Sequence, residues 1–288
     1  NDMSIAKKNI CVGKNEIVMA GFGLGQLEKY VKKMLAYGYT IVVYAQDVQS
    51  KNTTRSLACI YSPGTFFNNN ETIDNENNIN QNLSNNTICI WLHISNANLV
   101  IKQSTITIGL SLIDIITGKL INYEYSSQYI NSPTVYDQLE KYIAIYNPTE
   151  VIIITNSKEE NFIDTVINYA NIHSQKFHKI YITETNKTKS EIQAIAENCE
   201  KQNYQSALID KIYGRGSFNE KHEFREYSIA NQSLCFLLDF VEKHNPNLVK
   251  AIDYPVFENH CDKLILANHS LKQLNIISDN RYNGKLSC

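Results

Sequence analysis

Glu16-Ile-Val-Met-Ala-Gly-Phe-Gly-Leu-Gly-Gln-Leu-Glu-Lys-Tyr-Val31 decides how the front of this chain is read. By itself it is a short apolar strand, a glycine loop and a helix, which is how a nucleotide-phosphate cradle begins. A dinucleotide fingerprint requires Gly-x-Gly-x-x-Gly, so that the backbone turns tightly, approaches the pyrophosphate and packs helix on strand. Here Gly21, Gly23 and Gly25 are spaced two apart, and Gln26 stands where the third glycine is needed. The candidate strand, Ile17 to Ala20, is short for the buried first strand of a parallel sheet. Asp47 lies beyond the next apolar run, roughly where a ribose carboxylate would be sought, but the spacing is loose. A dinucleotide-binding domain using Gly21, Gly23 and Gly25 is therefore the weaker reading.

The helix that follows is the clearest in the chain. Leu27, Tyr30, Val31, Met34 and Leu35 fall on one stripe at helical period over residues 26–37. Glu28 and Lys32 stand four apart in the favourable order. Lys29, Lys32 and Lys33 could touch phosphate, although a solvated helix face is the default reading. Gly38 is placed to end the helix. Ile41 to Tyr44 and Leu57 to Tyr61 read as strands, the second stopped by Pro63-Gly64.

At 288 residues two domains are expected, and 43% hydrophobic residues suffice for ordinary cores. The formal charge of −2 gives no global attraction to nucleic acid, so any such contact needs a local basic patch. The seven cysteines show no Cys-x-x-Cys spacing, and His260-Cys261 lacks a second pair for zinc. Reduced, mostly buried thiols in an intracellular protein are expected. There is no signal peptide, and no apolar run approaches the ~20 residues of a membrane span. Asn1 is not a start residue and nothing terminates an element at Cys288, so either missing residues or an excerpt from a longer protein is expected.

Residues 68–86 carry Asn at ten of nineteen positions and no aromatics, which marks a flexible linker and the first domain boundary. Strands follow: Thr87 to Ser95, then Ile106, Ile108, Leu110 and Leu112 alternating with Thr105, Thr107, Gly109 and Ser111. Thr117-Gly118 turns the chain into Leu120 to Tyr125. Ser132-Pro133 caps a helix carrying Leu139, Tyr142, Ile143 and Tyr146. Val151 to Ile154 is a strand buried on both faces. Ser157-x-x-Glu160 reads as a capping box for the next helix, Lys179 to Thr183 as a strand, and Thr188-x-x-Glu191 as the start of a helix with Ile192, Ile195, Ala196 and Cys199 inward. Ile229 to Lys243 is helical, and Leu264 to Ile277 is apolar-rich. The fold class is α/β: an α+β portion, a ribonuclease-H-like mixed sheet with covering helices, and the opening of an α-helical unit.

In that order the chain resembles the MutS family of DNA mismatch-repair proteins. Met19-Ala20-Gly21-Phe22, the Leu27-Glu28-Lys29-Tyr30 helix and Gly38-Tyr39 are similar to the family's Met-Ala-Gly segment, helix and Gly-Tyr strand. Tyr61-Ser62-Pro63-Gly64-Thr65 resembles the Thr-Pro-Gly-Thr that closes the mismatch-binding domain. Leu112 to Gly118 resembles the connector's Asp-x-x-Thr-Gly hairpin, and Leu266 to Ile276 the stretch that opens the core domain. The resemblance implies a partial mismatch-binding domain (1–67), the linker, a connector (87–252) and the beginning of a helical core domain (253–288). Ala45 and Asn268 depart from the family's Glu and Asp, and Gly23 and Leu24 replace its Pro and His, which suggests a divergent branch.

The family senses a mismatch with Phe-x-Glu, whose phenylalanine stacks on the mispaired base; mispairs are easier to unstack and kink than paired steps. No Phe-x-Glu occurs before Asn15, and Phe218-Asn-Glu220 and Phe224-Arg-Glu226 match in letters only. No phosphate-binding Gly-x-x-x-x-Gly-Lys-Ser/Thr appears either. The resemblance implies that Lys14, Met19, Ala20, Gly21, Phe22 and Gly23 lie nearest DNA. For the whole protein it implies ATP and Mg, mismatched double-stranded DNA, a homodimer or heterodimer of MutS-like subunits, and a MutL-type partner at the connector. No catalytic residue, cofactor site or metal site is assigned to this chain. A ribonuclease-H-like nuclease using Asp114, with Glu150 as a second carboxylate, is the other alternative. Asp114 beside Thr-Gly is more simply a turn-stabilising side chain.

Overall fold

A computed structural model describes residues 6–12, 15–46, 54–66, 85–96, 103–182 and 190–258, with backbone only for 6–20 and 24. The chain divides into two compact units, residues 1–63 and 64–288. The division precedes the Asn-rich stretch, whose flanks meet where Asn85 Nδ2 donates to the carbonyl of Phe66 at 3.3 Å.

In the first unit, β1 (Ala6–Val12) and β2 (Asn15–Gly21) form an antiparallel hairpin. A 3-10 turn over Leu24–Gln26 leads into α1 (Leu27–Ala36), which buries Tyr30, Val31 and Leu35 as the stripe predicts. Gly38, at φ +76°, ends it. Its N–H donates to Leu35 O at 2.8 Å and that of Tyr39 to Met34 O at 3.3 Å, the paired bonds of a Schellman turn. β3 (Ile41–Gln46) and β4 (Arg55–Tyr61) pair antiparallel, with an irregularity between Val43 and Tyr44.

The second unit is built on one sheet: β5 (Asn86–Ser95), β6 (Thr105–Asp114), β7 (Leu120–Gln128), β8 (Glu150–Thr155), β9 (Lys176–Tyr181) and β10 (Val256–Phe257). Their order is β10-β7-β6-β5-β8-β9, and β6 alone runs against the rest. Omitting β10, this is the order and direction of the ribonuclease-H-like layout, so the chain is α/β. The short β10 extends the sheet beyond residue 252; the helical opening expected farther on, 259–288, lies outside the described residues.

Helices cover both faces. On one lie α2 (Asp137–Tyr146) and α3 (Phe162–Tyr169), packed on Ile88, Ile90, Leu92 and the Ile106-Ile108-Leu110-Leu112 row. On the other lie α4 (Glu191–Cys199), α5 (Gln202–Tyr213) and α8 (Ser228–His244), over Cys89, Trp91, Ile152 and Ile154. Between α5 and α8 come the single turns α6 (Ser217–Glu220) and α7 (Glu223–Glu226), and α9 (Pro246–Val249) follows. β8 is buried throughout, as its unbroken apolar run requires.

Three local expectations shift. Ser157 and Glu160 do not cap α3, whose N-cap is Asn161 without a side-chain bond; Ser157 Oγ instead accepts from Glu159 N–H at 3.2 Å, closing a local turn. The capping box of α4 is real but belongs to Ser190 and Gln193. Ile192, in the first turn of α4, is 51% exposed although it shares a helical face with Ala196 and Cys199. Helix α5, which has a weaker apolar stripe, has no counterpart in the sequence reading.

Alternation in β6 predicts its inward row but not the fate of the other one. Gly109 and Ser111 meet α8 rather than water. A Cβ on Gly109 would stand 2.4 Å from Ala230 N and from Ile229 C, so only glycine admits the helix this close. Beside it, the hydrogen-bond partners orient Asn122 with its amide nitrogen toward Leu110 O (3.0 Å), Ser111 Oγ (2.6 Å) and Ala230 O (3.1 Å). Ser111 Oγ also meets Ser233 Oγ at 2.7 Å. Glu124 of β7 accepts both Ile229 N–H and Ala230 N–H at 2.8 Å, capping α8 from across the sheet.

Candidate functional site

The glycine-rich run sits between an antiparallel hairpin and a helix. β2 pairs with β1 alone among the described residues, and β3 pairs with β4. A dinucleotide cradle needs the strand before the glycines and the strand after the helix side by side and parallel. That arrangement is missing, so the reading that used Gly21, Gly23 and Gly25 is set aside. No neighbouring atom lies within 4 Å of a Cβ built on any of the three, so no close approach explains them.

The sequence-derived candidates gather at the end of β2. Met19 and Ala20 lie on this strand, paired with Lys8 and Lys7, and Gly21 is its last residue. The side chains of Met19 and Ala20, and all of Lys14, lie outside the described residues. Phe22 is 43% exposed, with its ring 4.5 Å from that of Tyr30. α1 therefore supports Phe22 from one side and leaves the other to solvent. Gly23 accepts from Gln26 N–H at 2.9 Å, which starts the turn into the helix. Lys29, Lys32 and Lys33 are exposed along α1. Sequence reasoning did not anticipate the exposed apolar side chains of the β3–β4 hairpin, Val42, Tyr44 and Leu57.

In the second unit two motif segments turn out to be joints. Gly64 donates its N–H to Glu150 Oε2 at 2.9 Å, and its carbonyl accepts Thr87 Oγ1 at 2.9 Å. A Cβ there would lie 2.2 Å from Thr87 Oγ1 and 2.6 Å from Glu150 Cβ. Glu150 is fully buried, and its Oε1 meets His178 Nε2 at 2.6 Å. Glu150 therefore holds a backbone amide and an imidazole together. Asp114 organises its own turn, accepting Ile116 N–H at 3.1 Å, Thr117 Oγ1 at 2.8 Å and Asn85 N–H at 3.3 Å. Gly118, at φ +75°, donates to Asp114 O at 2.8 Å and approaches Ala251 so closely that a Cβ would meet its carbonyl oxygen at 2.3 Å.

These bonds decide against the nuclease alternative. Asp114 pairs with Asn86 and Glu150 with Thr87, adjacent residues of one strand, whose side chains point to opposite faces of the sheet. The two carboxylates do not converge on shared metal ions. Among the described residues no group of three or more His, Cys, Asp or Glu is arranged to hold a metal ion. Phe218 and Phe224 are buried and stacked on one another at 5.7 Å, so neither Phe-x-Glu match in this unit can reach a base.

Cys59, Cys89, Cys199 and Cys235 are free thiols, and burial pushes those of Cys89, Cys199 and Cys235 up, leaving them protonated and inert. No helix among the described residues is long and apolar enough to cross a membrane.

Comparison with known proteins places the first unit. The family model for MutS domain I matches residues 2–70. The front of the chain is thus similar to domain I of MutS proteins. A putative DNA mismatch repair protein, a mutS homologue of Acanthamoeba polyphaga mimivirus, is 27% identical over 285 residues, covering 93% of this chain and 24% of that protein. The DNA mismatch repair protein MutS of Halothermothrix orenii is 28% identical over 200 residues, covering 66% and 20%. The chain thus spans about a quarter of the first relative and a fifth of the second. A Fowlpox virus resolvase solved with Holliday junction DNA overlaps at a TM-score of 0.28 and 12% identity, over 54% of this chain and 97% of that one. An overlap that slight bears on neither fold nor function.

Proposed function

We propose that this chain is the front of a MutS-like protein that binds mismatched double-stranded DNA and couples recognition to ATP-driven clamp switching. The observation that carries this reading is the MutS domain I match over residues 2–70. It falls where the chain's positive charge lies. Residues 1–67 hold eight basic residues, Lys7, Lys8, Lys14, Lys29, Lys32, Lys33, Lys51 and Arg55, against four acidic ones, Asp2, Glu16, Glu28 and Asp47. That segment is strongly basic in a chain whose formal charge is −2.

On this reading the lysines of α1 contact phosphate, and Lys14 with the Met19 to Gly23 turn lies beside the duplex. Phosphate contacts position a protein on DNA without reading sequence, so this surface supplies affinity and register. The remainder of residues 1–67 completes the mismatch-binding domain. The second unit acts as the connector, passing nucleotide state to the DNA clamp and offering a surface to a MutL-type partner. ATP and Mg belong to the longer protein, since the glycines here do not fit a nucleotide. A dimer of MutS-like subunits completes the clamp.

The test is salt-dependent binding of the chain to a fluorescent duplex, measured by anisotropy. Replacing Lys29, Lys32 and Lys33 together by Ala should flatten the log–log salt slope by about 3, near 0.9 per lost phosphate contact. An unchanged slope, or no binding at low salt, refutes the assignment of α1 to DNA.

A further inference from the structure

A concave site in the second unit belongs to none of the roles above. It is a cavity of about 440 Å³ where the end of β7, the turn before α2 and one face of α3 come together. Phe162, Thr165 and Tyr169 line it from α3 at i, i+3 and i+7, one helical face. Tyr129 and Tyr136 close it from the β7 side. Tyr129 meets Phe162 edge-on at 6.2 Å, and Tyr136 meets Tyr169 at 6.0 Å. Glu159, exposed just ahead of α3, is the one charged residue of the lining, and no Lys, Arg or His contributes.

Four aromatic rings around a cavity with one carboxylate and no cation suit a positively charged organic group. Ring faces attract cations through their quadrupoles, and aromatic cages recognise quaternary ammonium and methylated lysine in this way. Burial pushes the Tyr136 hydroxyl well above its ordinary value, with Tyr129, Tyr169 and Glu159 adding to the effect, so Glu159 lies within electrostatic reach of the rings. Anions are disfavoured for the same reason, which separates this site from a phosphate or nucleotide pocket. Tyr169 is held in place by donating to Asn131 Oδ1 at 2.9 Å.

We infer that the cavity lined by Tyr129, Tyr136, Phe162 and Tyr169, with Glu159 beside them, binds a cationic side chain, arginine or N-methylated lysine, presented by a partner peptide. A volume of about 440 Å³ is in the range that holds small ligands and exceeds what one ammonium group fills. Flanking peptide atoms enter with the cation, and Ile130, 45% exposed beside the opening, gives them an apolar contact.

The experiment titrates the whole chain by calorimetry with short peptides that differ at one residue. Arginine, trimethyllysine and the neutral tert-butyl isostere of trimethyllysine are compared, with tetramethylammonium chloride as the free cation. At least one cationic peptide should bind, and the neutral isostere should bind about tenfold more weakly. Glu159→Gln and Tyr169→Leu should each weaken binding roughly five- to tenfold, with the unfolding midpoint read from Trp91 fluorescence unchanged for Glu159→Gln. Equal binding of the charged peptide and its isostere overturns the inference, as does binding unaffected by Glu159→Gln, or no binding by either cationic peptide at millimolar concentration. Tetramethylammonium binding as tightly as the peptides would assign the site to a free organic cation and remove the peptide partner.

Discussion

Gly109→Ala tests how closely α8 packs on the sheet. The new Cβ would stand 2.4 Å from Ala230 N and Ile229 C, and ordinary contact begins at 3.4 Å, so the helix start must retreat by roughly 1 Å. That retreat stretches the 2.8 Å bonds from Ile229 and Ala230 to Glu124 beyond hydrogen-bonding range and uncaps α8. Overpacking costs about 1–3 kcal/mol and loss of a helix cap about 1 kcal/mol. Relief of the glycine's unfolded-state entropy returns under about 1 kcal/mol. The net expectation is a loss of about 3 kcal/mol. Trp91, the only tryptophan, is fully buried on the α8 side of the sheet and reports the unfolding of this unit. With a urea dependence of about 2 kcal/mol/M, the midpoint falls by roughly 1.5 M. A midpoint within about 0.3 M of the parent would refute the close-contact argument.

Two further outcomes follow from the same sheet. Burial holds the Glu124 carboxyl above its ordinary 4.5, outweighing the two backbone N–H bonds that pull it down. Such a group binds its proton more tightly in the folded chain. Its contribution is therefore fully present below pH 4.5 and is lost as pH rises through the folded value. Glu124→Gln should flatten the decline in urea midpoint between about pH 4 and about pH 7; an identical slope in both proteins would contradict the burial cause. Asp114→Ala removes two hydrogen bonds within its own turn and one from Asn85 N–H, and should cost about 2 kcal/mol by the same fluorescence assay. Incubation of the parent chain with duplex DNA and Mg or Mn should yield no products, whereas cleavage abolished by Asp114→Ala would restore the nuclease alternative.

Local rules in the sequence carried much of this fold. The stripe of α1 and the glycine at position 38 specify a helix and its end within a dozen residues, because both are satisfied by neighbours in the chain. The even-numbered row of β6 and the buried run of β8 were likewise legible, since period and length alone decide them. Gly109 and Ser111 were not. Their alternation matches a wet face, and only a helix more than a hundred residues later turns that face into an interior. Ser157 and Glu160 match a capping box in letters while the backbone spends Ser157 on a local turn. At the candidate site, the glycine loop and the helix after it were legible, but whether Phe22 packs inward or faces solvent was not. The partners of Gly64 could not, because Glu150 and Thr87 have no local relation to it.

The fastening of Gly64 has a mechanical consequence. Both polar atoms of this backbone unit are held by side chains of β5 and β8, interior strands of the second unit's sheet. Tension arriving along the chain from residues 1–63 is therefore delivered to the opening pair of the β5–β8 ladder, not to a loose surface loop. Such a load reaches the parallel pairs up to Leu92–Thr155 through Thr87–Glu150, the first of them. On the second unit's side, a pull at residue 64 must break these two hydrogen bonds before it can draw out the chain beyond.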